Sequence, residues 1–361
     1  MTTFNIFLTS VMAATIGMLL LIRTASQLHL LDHPGGRKEH LRTTPVIGGL
    51  GIALVLLAAL FVLQPPNVAG MGLSVLVILL VGVVDDIREI APLPKFLAQA
   101  GACLIMIFLG KVQLNTVGNL LGFGVIGMWV LVIPMTVFAV IGVINAINMA
   151  DGIDGHAGGI GLVTFVAYAY VARDSGLWDQ YKILLVLAGA TTGYLILNAR
   201  WPWNKHARTF LGDAGSMLLG FLIGWFAIDL SAGNGSMINS DHALKTFPAI
   251  CALWVIVIPL CDCVSLMVRR KRAGHSMFMA DRQHLHHYLL NRGFSVGQAS
   301  VTSIAASAVC AVIGVGGWKL GVPEPIMFAA FVALFVAYHL HMQKAFNAMP
   351  QHGQMGASNT M

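Results

Sequence analysis

The chain has 361 residues, 57% of them hydrophobic and only 10% charged, with mean hydropathy +0.79 and a formal net charge of +6. A soluble domain carries about 25% charged residues, so this composition excludes a soluble globular fold and requires most of the apolar surface to face lipid. The basic residues sit in short loops between apolar runs, which reads as membrane topology and not as a nucleic-acid surface.

A spanning helix needs roughly 20 mostly apolar residues. Eleven stretches qualify, near 4–22, 46–63, 68–84, 95–110, 125–146, 157–173, 182–198, 211–228, 247–268, 298–316 and 325–343. The first is too long for a signal peptide, its leading MTTFN has no positive charge and no clear cleavage site follows, so a retained helix is expected. The expected fold is therefore all-α: a polytopic integral membrane protein with about 11 spans. No internal repeat or second domain is visible, so one transmembrane catalytic domain is expected over 1–349, followed by a polar, disordered tail over 350–361. The five cysteines fall inside apolar runs without a CxxC pair and read as small buried hydrophobes.

The alternation of spans divides the loops between two sides. The side holding 23–45, 84–95, 145–157, 199–210, 269–297 and the C-terminus carries 16 of the 21 Lys and Arg residues, and the positive-inside rule makes it cytoplasmic. The N-terminus is then outside and the C-terminus inside. The same side holds nine of the fifteen carboxylates and eight histidines, so the polar chemistry gathers at one membrane surface.

Five loops on that side contain chemistry-bearing residues. The first, Asp32-His33-Pro-Gly-Gly-Arg37-Lys38-Glu-His40, is either a basic topology signal or a holder for an anionic headgroup through Arg37 and Lys38. The second ends the third span with Asp85-Asp86. Adjacent carboxylates repel and raise one pKa, and acids at a helix C-terminus oppose its dipole. A base or metal-linked acid explains them better than a solvated helix end, with Lys95 as a phosphate partner. The third loop repeats polar groups every three residues, at Asn148, Asp151 and Asp154, among glycines. Hard oxygen donors with room for water suit Mg²⁺, while the oxygen series and closing Glu of an EF-hand are missing.

The fourth loop, Phe210-Leu-Gly-Asp213-Ala-Gly-Ser216, opens the eighth span. Asp213 reads as an N-cap or a metal ligand, and Phe210 as a lipid-facing or base-stacking ring. The fifth loop begins with Arg269-Arg270-Lys271-Arg272, read as an inner-surface anchor. It continues to Asp281-Arg282-Gln283-His284-Leu-His286-His287, whose histidines suit phosphate or sugar-hydroxyl contacts better than zinc, since no thiolate accompanies them. Asp262 lies inside the ninth span, where an acid is a functional hypothesis by default.

Together, HPGGRKEH with PVIGG, VVDD, NAINMADGIDG, FLGDAGS and DRQHLHH, in that order over about residues 30–295, resemble the polyprenyl-phosphate N-acetylhexosamine-1-phosphate transferase family. The HLHH form resembles the N-acetylglucosamine branch more than the pentapeptide-transferase branch, which more usually has three consecutive histidines. The resemblance implies transfer of an N-acetylhexosamine 1-phosphate from a UDP-sugar to undecaprenyl phosphate with release of UMP. It implies a Mg²⁺ cofactor, with Mn²⁺ as a substitute, and a place in the bacterial inner membrane at the first membrane step of a cell-surface polysaccharide pathway. By the same resemblance Asn148 and Asp213 hold Mg²⁺, and Asp85 and Asp86 lie near the lipid phosphate. Asp151, Asp154 and Phe210 border the uridine, while Arg282, His284 and His287 face the sugar phosphate and sugar. Lys38 and Lys95 join the phosphate set. The partners are the UDP-sugar, the polyprenyl phosphate and the bilayer, without nucleic acid; a homodimer is compatible with all of this. Competing classes are a transporter, which places its site near the midplane and often shows repeated halves, and a CDP-alcohol-type transferase, which needs a compact acid-rich motif.

Overall fold

The computed structural model describes residues 2–33, 43–202, 204–231, 247–277 and 282–348. Helices occupy every one of the eleven expected stretches: α1 (Thr3–Thr24), α2 (Gly48–Leu63), α3 (Val68–Ile87), α4 (Pro92–Phe108), α5 (Val132–Ala150), α6 (His156–Asp174), α7 (Trp178–Asn198), α8 (Gly212–Asp229), the pair α9 (Ala249–Val255) and α10 (Val257–Arg272), α12 (Val296–Lys319) and α13 (Glu324–Asn347). One more short helix, α11 (Leu285–Asn291), lies in the histidine loop. Among the described residues six helices are long and apolar enough to cross a bilayer on their own, and seven if the bent α9–α10 pair is one span. The remaining apolar helices are shorter, like α2 and α4, or packed within the bundle.

The ninth stretch turns by 83° between α9 and α10. Pro259 accounts for the break: its ring lacks an N–H and collides with the carbonyl four residues earlier, that of Val255, where α9 ends. A two-residue antiparallel pair, β1 (Leu31–Asp32) with β2 (Thr44–Pro45), adds a small element that the all-helical expectation did not contain.

The helix α8 forms the centre. Its residues from Ala214 to Phe226 are buried, and it packs on α2, α3, α5 and α6. Small residues allow the approach: a Cβ on Gly49 would strike the backbone of Gly215, and one on Gly82 would strike Ala214. In lipid, where apolar surfaces give no hydrophobic drive to helix association, such backbone-to-backbone packing supplies the contact energy. The outer faces carry Phe61, Leu80, Phe138, Val312 and Leu340 outward, as a lipid-solvated surface requires. All five cysteines are free and buried, as expected.

Candidate active site

The glycine contacts draw the starts of α2 and α8 and the end of α3 to one point. Backbone bonds complete the junction: Phe210 N–H donates to Pro45 O at 2.8 Å, while Gly48 and Gly49 donate to Phe210 O and Leu211 O, each at 3.0 Å. The PVIGG and FLGDAGS pieces thus form one structural unit, with Phe210 half-buried at its edge.

The two adjacent aspartates have different surroundings. Asp86 accepts the Asp213 N–H at 2.7 Å and the Ala214 N–H at 3.1 Å, one on each oxygen. It caps α8 from a neighbouring helix and fixes the backbone of Asp213. Gly212, with φ +77°, makes this possible, because a Cβ there would run into the Asp86 carboxylate. Asp85 is buried, accepts the Ile90 N–H at 3.0 Å and pairs with Lys95 at the start of α4.

Asn148, at the end of α5, donates both amide protons, one to Asp213 Oδ1 at 2.6 Å and one to Ser216 Oγ at 2.8 Å. Its carbonyl oxygen is left as a hard donor beside the Asp213 carboxylate. Asp151 caps the same helix. Desolvation, then the charges of Asp213, Asp86 and Asp154, push its pKa up to about 8. Asp154 pairs with Arg200 at 2.7 Å. Of these five convergent carboxylates, only Asp85 and Asp154 meet a basic side chain among the described residues.

This donor set fits Mg²⁺. Among the described residues no three His, Cys, Asp or Glu side chains gather to enclose an ion. One carboxylate and one amide oxygen, with water and substrate phosphate completing the shell, is how this metal is usually held. The mutual repulsion of the acids favours a cation there.

The histidine loop lies directly against this cluster. A Cβ on Gly152 would strike the His286 ring. His286 is buried, stacks at 5.4 Å on His284 and lies 4.3 Å from His287, centroid to centroid. Burial and the three surrounding histidines hold it neutral, its pKa well below the usual range. His284 is buried and donates Nδ1–H to Asp262 Oδ2 at 2.8 Å. Arg282 is exposed and His287 half-buried. Lys38 lies outside the described residues, as do Arg37 and Asp281. The basic run divides in two, which corrects its reading as a simple surface anchor. Arg269 and Arg270 are buried and bind the carbonyls of Gln283 and Met277, at 2.5 and 2.7 Å, while Lys271 and Arg272 face outward. Guanidinium forks inside the protein thus hold the loop that presents the histidines.

Sequence reasoning did not single out Arg200 or Tyr338, and it named Ser216 and His286 only as members of their motifs. Ser216 was legible in principle, three residues after Asp213 and so on the same helical face; Arg200 and Tyr338 carry no local signal.

Residues 68–231 match glycosyl transferase family 4. Over 338 residues the chain is 36% identical to the undecaprenyl-phosphate alpha-N-acetylglucosaminyl 1-phosphate transferase of Haemophilus influenzae, covering 92% of each chain. It is 34% identical over 337 residues to the protein of the same name from Pasteurella multocida, again 92% of each. It is 30% identical over 333 residues to that of Escherichia coli K12, covering 90% of this chain and 86% of the relative. The chain therefore belongs to glycosyl transferase family 4, the polyprenyl-phosphate N-acetylhexosamine-1-phosphate transferases.

Proposed function

We propose that the protein transfers N-acetylglucosamine 1-phosphate from UDP-N-acetylglucosamine to undecaprenyl phosphate and releases UMP. The similarity to transferases of that name over about nine-tenths of both chains carries this reading. The site supports it, because an acidic cluster beside histidines is suited to two anionic reactants, one with a sugar. The bundle spans the bacterial inner membrane eleven times, N-terminus outside and C-terminus inside, with the site on the cytoplasmic face and the reaction opening a cell-surface polysaccharide pathway.

Asn148 and Asp213 would hold Mg²⁺, for which Mn²⁺ substitutes. When bound, the metal neutralises the donor pyrophosphate and the charge that develops on the departing UMP. Asp86 keeps Asp213 in place through the two N–H bonds. Lys95 is half-exposed and can move from Asp85 to an arriving lipid phosphate. Asp85, freed of its partner, then takes the remaining phosphate proton, and the phosphate oxygen attacks the sugar-linked phosphorus in line. Asp151, Asp154 and Phe210 border the uridine. Arg282, His284 and His287 meet the sugar phosphate and sugar.

The test is direct. Purified protein with labelled UDP-N-acetylglucosamine, undecaprenyl phosphate and Mg²⁺ is expected to form a lipid-linked sugar phosphate and UMP. Transfer only from UDP-N-acetylmuramoyl-pentapeptide would reassign the donor, and no transfer from any UDP-sugar would overturn the reading. Trapping a phosphorylated Asp85 would replace direct attack by a covalent route. A topology reporter at Lys344 is expected to read cytoplasmic and one at Asp179 external.

A further inference from the structure

Asp262 sits in the middle of α10, buried, and the mechanism above does not use it. Its two oxygens receive three donors. Oδ2 accepts from His284 Nδ1 at 2.8 Å, and Oδ1 accepts from the Leu285 N–H at 3.0 Å and the Tyr338 hydroxyl at 2.7 Å. The seam continues along one stripe of α10. Ser265 meets His339 Nδ1 at 3.0 Å and receives a hydrogen bond from Arg269 at 3.1 Å, and Arg269 lies over the Phe346 ring. Tyr338, His339 and Phe346 all belong to α13, beyond the family-matched segment. A whole outer helix thus braces the face of α10 that meets the histidine loop.

We propose that Asp262, braced by Tyr338, is a positioning residue for His284 and sets its tautomer; this rests on the functional reading above. A carboxylate can only accept, so His284 Nδ1 must carry the proton. The lone pair is then on Nε2, on the ring edge turned away from α10. From there it can accept a hydrogen bond from a sugar hydroxyl or amide, or take a proton and meet a phosphate while Asp262 balances the charge. The carboxylate at the first turn of α11 also ties His284 to the start of that helix. The ring is therefore fixed at both backbone and side chain, with His286 stacked on it and pressed against Gly152.

Asp262→Asn separates positioning from mere packing. The amide oxygen can still serve Leu285 and Tyr338, but its NH₂ then faces His284 Nδ1 and forces the proton to Nε2. We expect the full-length variant in nanodiscs, labelled with ¹⁵N-histidine, to show the His284 resonances exchanging from the Nδ1–H to the Nε2–H pattern, the peaks being assigned by their loss in His284→Ala. This readout needs no turnover, so it stands even if the donor or acceptor has been misassigned. In transfer assays Asp262→Asn is expected to lose about 10–100-fold in kcat/KM for the UDP-sugar, the usual effect of losing a group that orients a histidine. UMP affinity should be retained, and Asp262→Asn combined with His284→Ala should be no worse than His284→Ala alone. Tyr338→Phe, which leaves the carboxylate in place, should lose only about two- to tenfold. An unchanged His284 tautomer in Asp262→Asn would overturn the proposal. So would a double variant whose losses multiply, or a fall in UMP affinity equal to the fall in donor use.

Discussion

The two ends of the bundle treat their carboxylates differently. At the end away from the site, Asp174 pairs with Lys319 at 2.5 Å, Asp179 with Lys182 at 3.1 Å, and Glu324 accepts the Asn119 N–H at 3.0 Å. At the site end five carboxylates converge, two of them with a basic partner, and Asp86 is held by backbone N–H groups instead. The first arrangement closes loops and needs nothing more. The second concentrates negative charge where folding alone gains nothing from it, which is the pattern of a site built to receive a cation and phosphates. Substitutions should therefore separate the ends.

The largest loss is expected at Asp85. Asp85→Asn should lower kcat by about 10²–10⁴-fold, the usual range for a general base, with little change in KM for the UDP-sugar. Steady-state kinetics over both substrates measures this, and near-normal turnover would remove Asp85 from that role. Next comes the metal pair. Asp213→Asn should cost about 10²–10³-fold, as for loss of one group stabilising transition-state charge. EDTA should abolish wild-type activity and Mg²⁺ restore it, whereas full activity in chelator would break the comparison at its centre.

Asp86→Asn should act through structure. An amide can serve only one of the two N–H groups it faces, so about 1–3 kcal/mol of stability is expected to go, seen as a lower melting temperature, together with a higher Mg²⁺ concentration needed for half-maximal activity. If Asp86→Asn instead melts like wild type and loses only kcat, it is a second base. His287→Ala should cost about 0.5–1.5 kcal/mol in donor use, the worth of one neutral hydrogen bond, with UMP binding preserved; equal loss of both would move this loop away from the sugar. The smallest effect belongs to the far end, where Lys319→Ala breaks an exposed pair and should leave turnover unchanged in the same assay.

Much of this was written in the sequence. Composition demanded a lipid-facing bundle, because no soluble fold can hide so much apolar surface. Apolar runs located every helix stretch except the short α11, and the expected alternation of spans assigned the five motif loops to one side. The structure joins four of those loops through named contacts: Asp86 to Asp213, Asn148 to Asp213, and His286 to Gly152. Residue type and local spacing carry information of this kind, since a span, a helix end or an acid pair is a property of neighbouring residues.

Tertiary structure alone decided the division of labour. Asp85 and Asp86 are adjacent and chemically identical, and only the approach of α8 through Gly82 and Gly212 makes one a cap and leaves the other to Lys95. Asp262 was visible as an acid in a span, but its partners come from residues 22, 23 and 76 positions away. The inward turn of Arg269 and Arg270 arises in the same way. A lone acid in an apolar helix is costly, and which donors relieve that cost depends on how helices distant in the chain pack, which no local pattern records.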